Sequence, residues 1–206
     1  MVAVKTEGVI LKRRNFGEAD RILTVFTDKM GKISVMAKGV RRISSRRAGN
    51  VELLNRVIMF LHQGKGMPIL TEAKALDTYP KLKADLTLST YSFHILELVD
   101  KLTAQEQENS FLYRMLITIL EKLSQNPRQI LVRAFEAKTL SGLGFANFSS
   151  DLKLLSDLEN MTWDEIERME IKEEEAMELE RRLRYHIEKV IEGTLKSRQL
   201  LKKLHG

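Results

Sequence analysis

In ILTVFTDKMGKISVMA (Ile22 to Ala37) two runs of period two flank a turn. Ile22, Thr24 and Phe26 oppose Leu23, Val25 and Thr27. Beyond the turn, Ile33, Val35 and Ala37 share one face, while Lys32, Ser34, Met36 and Lys38 share the other. The turn itself, DKMGK (Asp28 to Lys32), places a glycine near its end, as a tight hairpin requires. Outward from this hairpin the pattern continues. Val2, Val4, Thr6 and Gly8 oppose Ala3, Lys5, Glu7 and Val9, with Asn15 and Gly17 marking the junction to the second strand. LLNRVIMFLH (Leu53 to His62) is a strongly apolar strand, and ILTEAKAL (Ile69 to Leu76) follows a turn at Gly64, Gly66 and Pro68. Five short strands in about 77 residues predict a small closed barrel of the OB type, with an SH3-like barrel as the competing arrangement.

At Pro80 the apolar period changes from 2 to 3.6. Leu82, Leu86, Tyr91, Ile95, Leu98 and Leu102 form one helical stripe. Asn109 or Ser110 caps a second helix, and Asn126-Pro127 is expected to start a third, which stops at Gly142 and Gly144. Thr162 to Glu165 reads as a capping box for a short helix. Glu173 to Glu192 is a long helix with Leu179, Leu183, Ile187, Val190 and Ile191 on one side, and a basic tail runs to Lys203. The fold class is α+β: an N-terminal five-stranded OB-type β-barrel over 1–78 and an all-α domain over 79–206.

Bulk composition narrows the function. The chain has 206 residues, 43% of them hydrophobic, so a packed core is expected. No apolar run approaches the ~20 residues that span a bilayer, and the N-terminus has no signal-peptide pattern. With no cysteine, disulfides and cysteine metal sites are excluded, and the chain reads as cytosolic, which fits a reducing compartment. The sequons at Asn147 and Asn160 are then chance matches. The net charge of +6 is uneven. Residues 1–75 hold 15 Lys/Arg against 6 Asp/Glu, and the remainder holds 19 against 22. A basic barrel on a mildly acidic helical body points to a polyanion partner.

Chemistry beyond charge is sparse. The histidines at 62, 94, 186 and 205 lack metal-ligand spacing. No phosphate-binding loop is present, and the carboxylates of Glu170 to Glu180 read as a solvated helix face. No catalytic residue, cofactor or metal is expected. The positive signal is basic. KRRN (Lys12 to Asn15) ends the first strand, Lys32 and Lys38 point outward from the third, and AKGVRRISSRRAGN (Ala37 to Asn50) adds Arg41, Arg42, Arg46 and Arg47. Arginine grips phosphate bidentately and stacks on bases. The candidate nucleic-acid contacts are therefore Lys12, Arg13, Arg14, Lys32, Lys38, Arg41, Arg42, Arg46 and Arg47. Phe16 and Phe60 are the candidate stacking aromatics, with a core role as the alternative for both.

GVILKRRNFGEADRILTVFTDKMGKISVMAKGVRR, LHQGKGMPILTEA, VRAFEAKTLSGLGF and YHIEKVIEGTLKSRQLL together resemble, in order, the RecO family of bacterial recombination mediators. The resemblance implies binding of single- and double-stranded DNA and annealing of complementary strands. It also implies loading of RecA onto strands coated by single-strand-binding protein, together with RecR. An acidic, hydrophobic-ended tail of single-strand-binding protein would dock on the helical domain, with Arg133 and then Lys138 as the expected contacts. Many members of the family carry a four-cysteine zinc module after the GLGF motif. Here residues 147–172 take its place, with Trp163 expected to supply core instead of metal. Two rival readings remain open: an RNA-binding OB protein of the translation apparatus, and a helical interaction scaffold with a structural barrel.

Overall fold

The computed structural model describes residues 2–148 and 152–197. The chain forms two compact units. The first takes the described residues up to Pro80 together with Thr103–Arg114, and the second takes Lys81–Leu102 and the described residues from Met115 onward. The segment 103–114, placed by its sequence with the helices, thus packs with the barrel.

Five strands build the first unit: β1 (Val2–Phe16), β2 (Asp20–Thr27), β3 (Gly31–Ala37), β4 (Arg56–Gln63) and β5 (Ile69–Asp77). They close in the order β1-β2-β3-β5-β4, with β3 and β5 parallel at Met36 and Ile69 and the other pairs antiparallel. This is the OB arrangement rather than the SH3-like one. The apolar alternation explains the closure. Leu23, Val25, Ile33, Val35 and Ala37 fill the interior with Val57, Met59, Leu61 and Leu70. β4 begins at Arg56, three residues later than its apolar run, because Leu54 (φ 74) and Asn55 still belong to the β3–β4 connection.

β1 serves two partners. Its first half pairs with β4 and its second with β2, and Val9 and Gly8 pair with both. A Cβ at Gly8 would lie 2.6 Å from Val25 Cγ1 and 2.9 Å from the Phe26 carbonyl oxygen, so only glycine allows this crossing. Immediately after it a bulge falls between Ile10 and Lys12, which re-aims the basic end of the strand.

Part of the barrel's outer surface is covered by residues 103–114. Tyr113 packs its ring on Phe26 (6.2 Å between centroids) and donates to Glu7 Oε1 at 2.9 Å, and Arg56 Nε donates to the same oxygen at 2.7 Å. Burial, and then the Glu7 carboxylate, raise the Tyr113 hydroxyl well above its ordinary pKa. Glu106 N–H donates to the Lys32 carbonyl at 2.9 Å.

The second unit holds most of the helices: α1 (Pro80–Ala84), α2 (Leu86–Leu102), α3 (Ser110–Gln125, which begins in the first unit), α4 (Gln129–Gly142), α5 (Lys153–Asn160), α6 (Trp163–Arg168) and α7 (Glu173–Ile191). Asn109 Oδ1 accepts from Leu112 N–H and is the cap of α3. The capping box at Thr162 and Glu165 forms as its spacing predicts. Asn126-Pro127 does not start α4. Asn126 N–H donates to the Lys122 carbonyl, closing the last turn of α3, and α4 begins after an extended Arg128 with no side-chain cap. Leu82, Tyr91, Ile95, Leu98 and Leu102 are buried, but Leu86 is exposed. Leu179, Leu183 and Ile187 carry the burial of α7. The basic tail lies outside the described residues beyond Ser197.

Chain segment 147–172 has no cysteine to hold zinc, so the residues present do not fit that metal. In its described part α5 and α6 bury Leu155, Leu158 and Ile166. Trp163 is only half-buried, so aliphatic side chains rather than the indole form this core.

Candidate nucleic-acid interface

The β3–β4 connection carries the arginine cluster, and its backbone is tied down at both ends. Gly39 N–H donates to Asp20 Oδ1 at 2.7 Å and Arg41 N–H to the Ala19 carbonyl at 2.9 Å. Leu54 N–H donates to the Ile10 carbonyl, and Asn55 Nδ2 donates to the carbonyls of Gly49 and Asn50. Val40, Val51 and Leu54 are fully buried beneath it. Val40 and Val51 therefore anchor the loop to the barrel core, whereas Ile43 stands exposed.

Within that loop the arginines differ. Arg47 turns inward and donates from Nη1 to the Leu70 and Thr71 carbonyls (2.7 and 3.2 Å) and from Nη2 to the Lys38 carbonyl (2.8 Å). Its planar fork staples the loop to β5. Arg41 gives one contact to the Gly17 carbonyl at 3.2 Å. Arg42, Arg46 and Lys38 are exposed and unpaired among the described residues, as is Ile43 beside them.

A groove of about 520 Å³ is lined by Leu11, Lys12, Arg13, Arg14, Ile22 and Thr24, with Ser34 and, from the β3–β4 connection, Leu53 completing it. The strand register explains its sides. Lys12 faces Thr24 and Arg14 faces Ile22, and these two pair onward with Ser34 and Met36. The bulge before Lys12 thus puts Lys12 and Arg14 on the outer face of a three-stranded patch. Arg13, between them, also lines the groove, and its guanidinium pairs with Glu52. Arg21 joins the same carboxylate at 3.1 Å.

Lys32 is a correction. Its alternation places it on the outer face, but segment 103–114 covers that end of the face and leaves it 7% exposed. Phe16 and Phe60, by contrast, are exposed rather than core. Phe16 ends β1 beside the groove strands, while Phe60 lies on β4 with Lys5 Nζ 5.8 Å from its ring centre. Arg21 and Glu52 escaped sequence reasoning, because nothing local to either residue shows that β1, β2 and the loop converge there.

Arg133 and Lys138 are also placed differently. Arg133 is 6% exposed and pairs with Glu136 Oε2 at 2.9 Å, and Glu136 Oε1 meets His94 Nε2 at 2.5 Å. This is a buried polar network between α2 and α4, not the rim of a docking pocket. His94 Nδ1 also meets Ser197 Oγ at 3.2 Å, and serine, histidine and glutamate are all buried. Lys138 Nζ donates to the Glu159 and Met161 carbonyls (2.8 and 2.7 Å) over the Trp163 ring. Burial lowers its pKa, with Glu159 and Glu165 opposing that shift. Its role is to clamp the end of α5. Among the described residues no group of three or more His, Asp or Glu could hold a metal ion, and no helix is long and apolar enough to cross a membrane.

Comparison with known proteins agrees with the barrel and its helical partner. Residues 1–79 match the family model for the recombination protein O N terminal, and residues 83–147 match that for its C terminal. The chain belongs to the recombination protein O family. Proteins named DNA repair protein RecO are similar to it: 35% identical over 149 residues in Acetivibrio thermocellus, 34% over 142 in a Roseiflexus species (strain RS-1), and 30% over 141 in Listeria monocytogenes. These alignments cover 71%, 68% and 68% of this chain and 59%, 50% and 55% of the relatives. The chain thus spans half to three-fifths of the relatives it matches. Segment 147–172 lies almost wholly past the family match.

Proposed function

We propose that this chain acts in DNA repair and recombination by holding single- and double-stranded DNA on its barrel and promoting the pairing of complementary strands. The observation that carries the reading is the set of exposed cations without partners among the described residues: Arg14, which lines the groove, and Lys38, Arg42 and Arg46 on the β3–β4 connection. Unpaired surface charges gain from a phosphate backbone, because each contact releases a condensed counterion. Two strands held on one neutralised surface repel each other less, so their encounter is faster. No covalent step is needed, and no residue is assigned a catalytic role.

The family resemblance supports the wider setting: partnership with RecR, contact with single-strand-binding protein, and RecA as the indirect beneficiary. Because Arg133 and Lys138 are occupied inside the helical unit, the proposal does not route the tail of single-strand-binding protein through them. Of the five loop charges, Arg47 is committed to the fold. The loop's share of the log–log salt slope on a single strand is then about −2.8 from four charges rather than −3.5 from five.

The test is annealing of complementary strands pre-coated with single-strand-binding protein, with and without RecR. Faster annealing on addition of this chain is expected. No acceleration, with DNA binding intact, removes the annealing role. Matched RNA competing as well as DNA would favour the translation-apparatus reading instead.

A further inference from the structure

We propose that Arg13 and Arg21 form a phosphate subsite, and that the Glu52 carboxylate occupies it until a nucleic-acid phosphate displaces it. The inference rests on the barrel being a single-strand binder, and it deepens that reading. Glu52 offers one oxygen to each arginine: Oε2 to Arg13 Nη1 and Oε1 to Arg21 Nη1 at 3.1 Å. The three side chains come from β1, β2 and the β3–β4 connection. A carboxylate bridging two guanidinium groups has the form of a phosphodiester bridging them through its two non-bridging oxygens. One carboxylate also leaves a surplus positive charge between two arginines.

Mobility favours exchange at this point. The Glu52 backbone is fixed: its carbonyl accepts from Asn55 N–H at 3.2 Å, and Val51 beside it is fully buried. Among the described residues its side chain is bonded only to the two arginines, and it is 37% exposed, so a rotamer change alone vacates the fork. The arginines keep their positions. Arg21 is 19% exposed and its Nε lies 3.5 Å from Asn15 Oδ1, while Arg13 lines the groove beside Lys12 and Arg14. Ion pairs this exposed are weak, so a phosphate that also contacts the groove outcompetes the carboxylate. Phosphate contacts carry no sequence information, so the gain should be the same for every sequence.

The experiment measures binding of a mixed-sequence single-stranded oligonucleotide, across a salt series, by wild type, Glu52→Gln, Arg21→Ala and the double variant. Melting temperatures check each fold, and Arg21→Lys, which keeps charge but loses the fork, serves if Arg21→Ala does not fold. Expected is roughly a 3- to 10-fold tightening in Glu52→Gln, with a slope steeper by about 0.7 for each phosphate gained. The tightening disappears when Arg21 is also replaced. A folded Glu52→Gln that binds no tighter overturns the subsite, and so does a gain that survives the loss of Arg21, which marks a diffuse charge effect. Failure of wild type and every variant to bind any oligonucleotide removes the underlying DNA reading instead.

Discussion

Residues of one type in one short loop do different work. Arg47 gives its hydrogen bonds to three backbone carbonyls, while Arg42 and Arg46 face solvent unpaired. Arg47→Ala is expected to cost on the order of 1–3 kcal/mol, since the bonds from a charged donor to the Leu70, Thr71 and Lys38 carbonyls are lost. Replacing Arg42 and Arg46 with alanine should leave stability within about 0.5 kcal/mol and weaken DNA binding. Denaturant melts and an oligonucleotide titration separate the two. Gly31 is a second test at this scale. Its φ is +64, and a Cβ there would land on the Gln107 carbonyl. Gly31→Ala should cost at least about 1 kcal/mol from the left-handed backbone alone, read as a lower melting temperature, with the clash adding to it. The charge pattern of the loop was legible in the sequence, but its division of labour was not. Alternation placed Lys32 on the outer face correctly, yet no pattern within β3 shows that residues 103–114 return to cover it.

Elements were most legible where one local rule sufficed. The hairpin at Gly31, the glycine stop of α4 and the box at Thr162 each follow from a few adjacent residues. Asn126-Pro127 misled because a proline that suits a first turn also suits the end of the preceding helix. Asn109 is the cap that matters: Asn109→Ala should cost about 1 kcal/mol in a denaturant melt, whereas Asn126→Ala should cost less. A pH-sensitive contact ties the last described residues to α2. Glu97 accepts from Lys196 and Ser197 N–H at 2.9 and 2.8 Å. Burial raises its pKa, but the Ser197 and Lys196 donors more than offset this, and the net shift is downward. The stability it contributes is present above its unfolded pKa, near 4.3, and is lost as pH falls through the lower folded value. Wild type and Glu97→Gln should therefore differ in melting temperature at neutral pH and converge in acid. A difference that persists at low pH contradicts the assignment.

The whole chain divides its charge as it divides its structure, with the surplus of cations on the barrel residues. That asymmetry, the strand count and the change of period near Pro80 were all visible in the sequence, because each sums over many residues. The convergence of Arg13, Arg21 and Glu52, and the enclosure of Arg133 by Glu136 and His94, were not visible, because they depend on strand register and helix packing between distant segments. The central claim is that exposed cations of the barrel groove and of the β3–β4 connection bind a DNA backbone. It is tested most directly by the salt dependence of single-strand binding in wild type and in a variant with Arg14, Arg42 and Arg46 all replaced by alanine. Loss of three phosphate contacts predicts a log–log slope shallower by about 2 and weaker binding at low salt. An unchanged slope in a correctly folded variant would place the DNA elsewhere on the molecule.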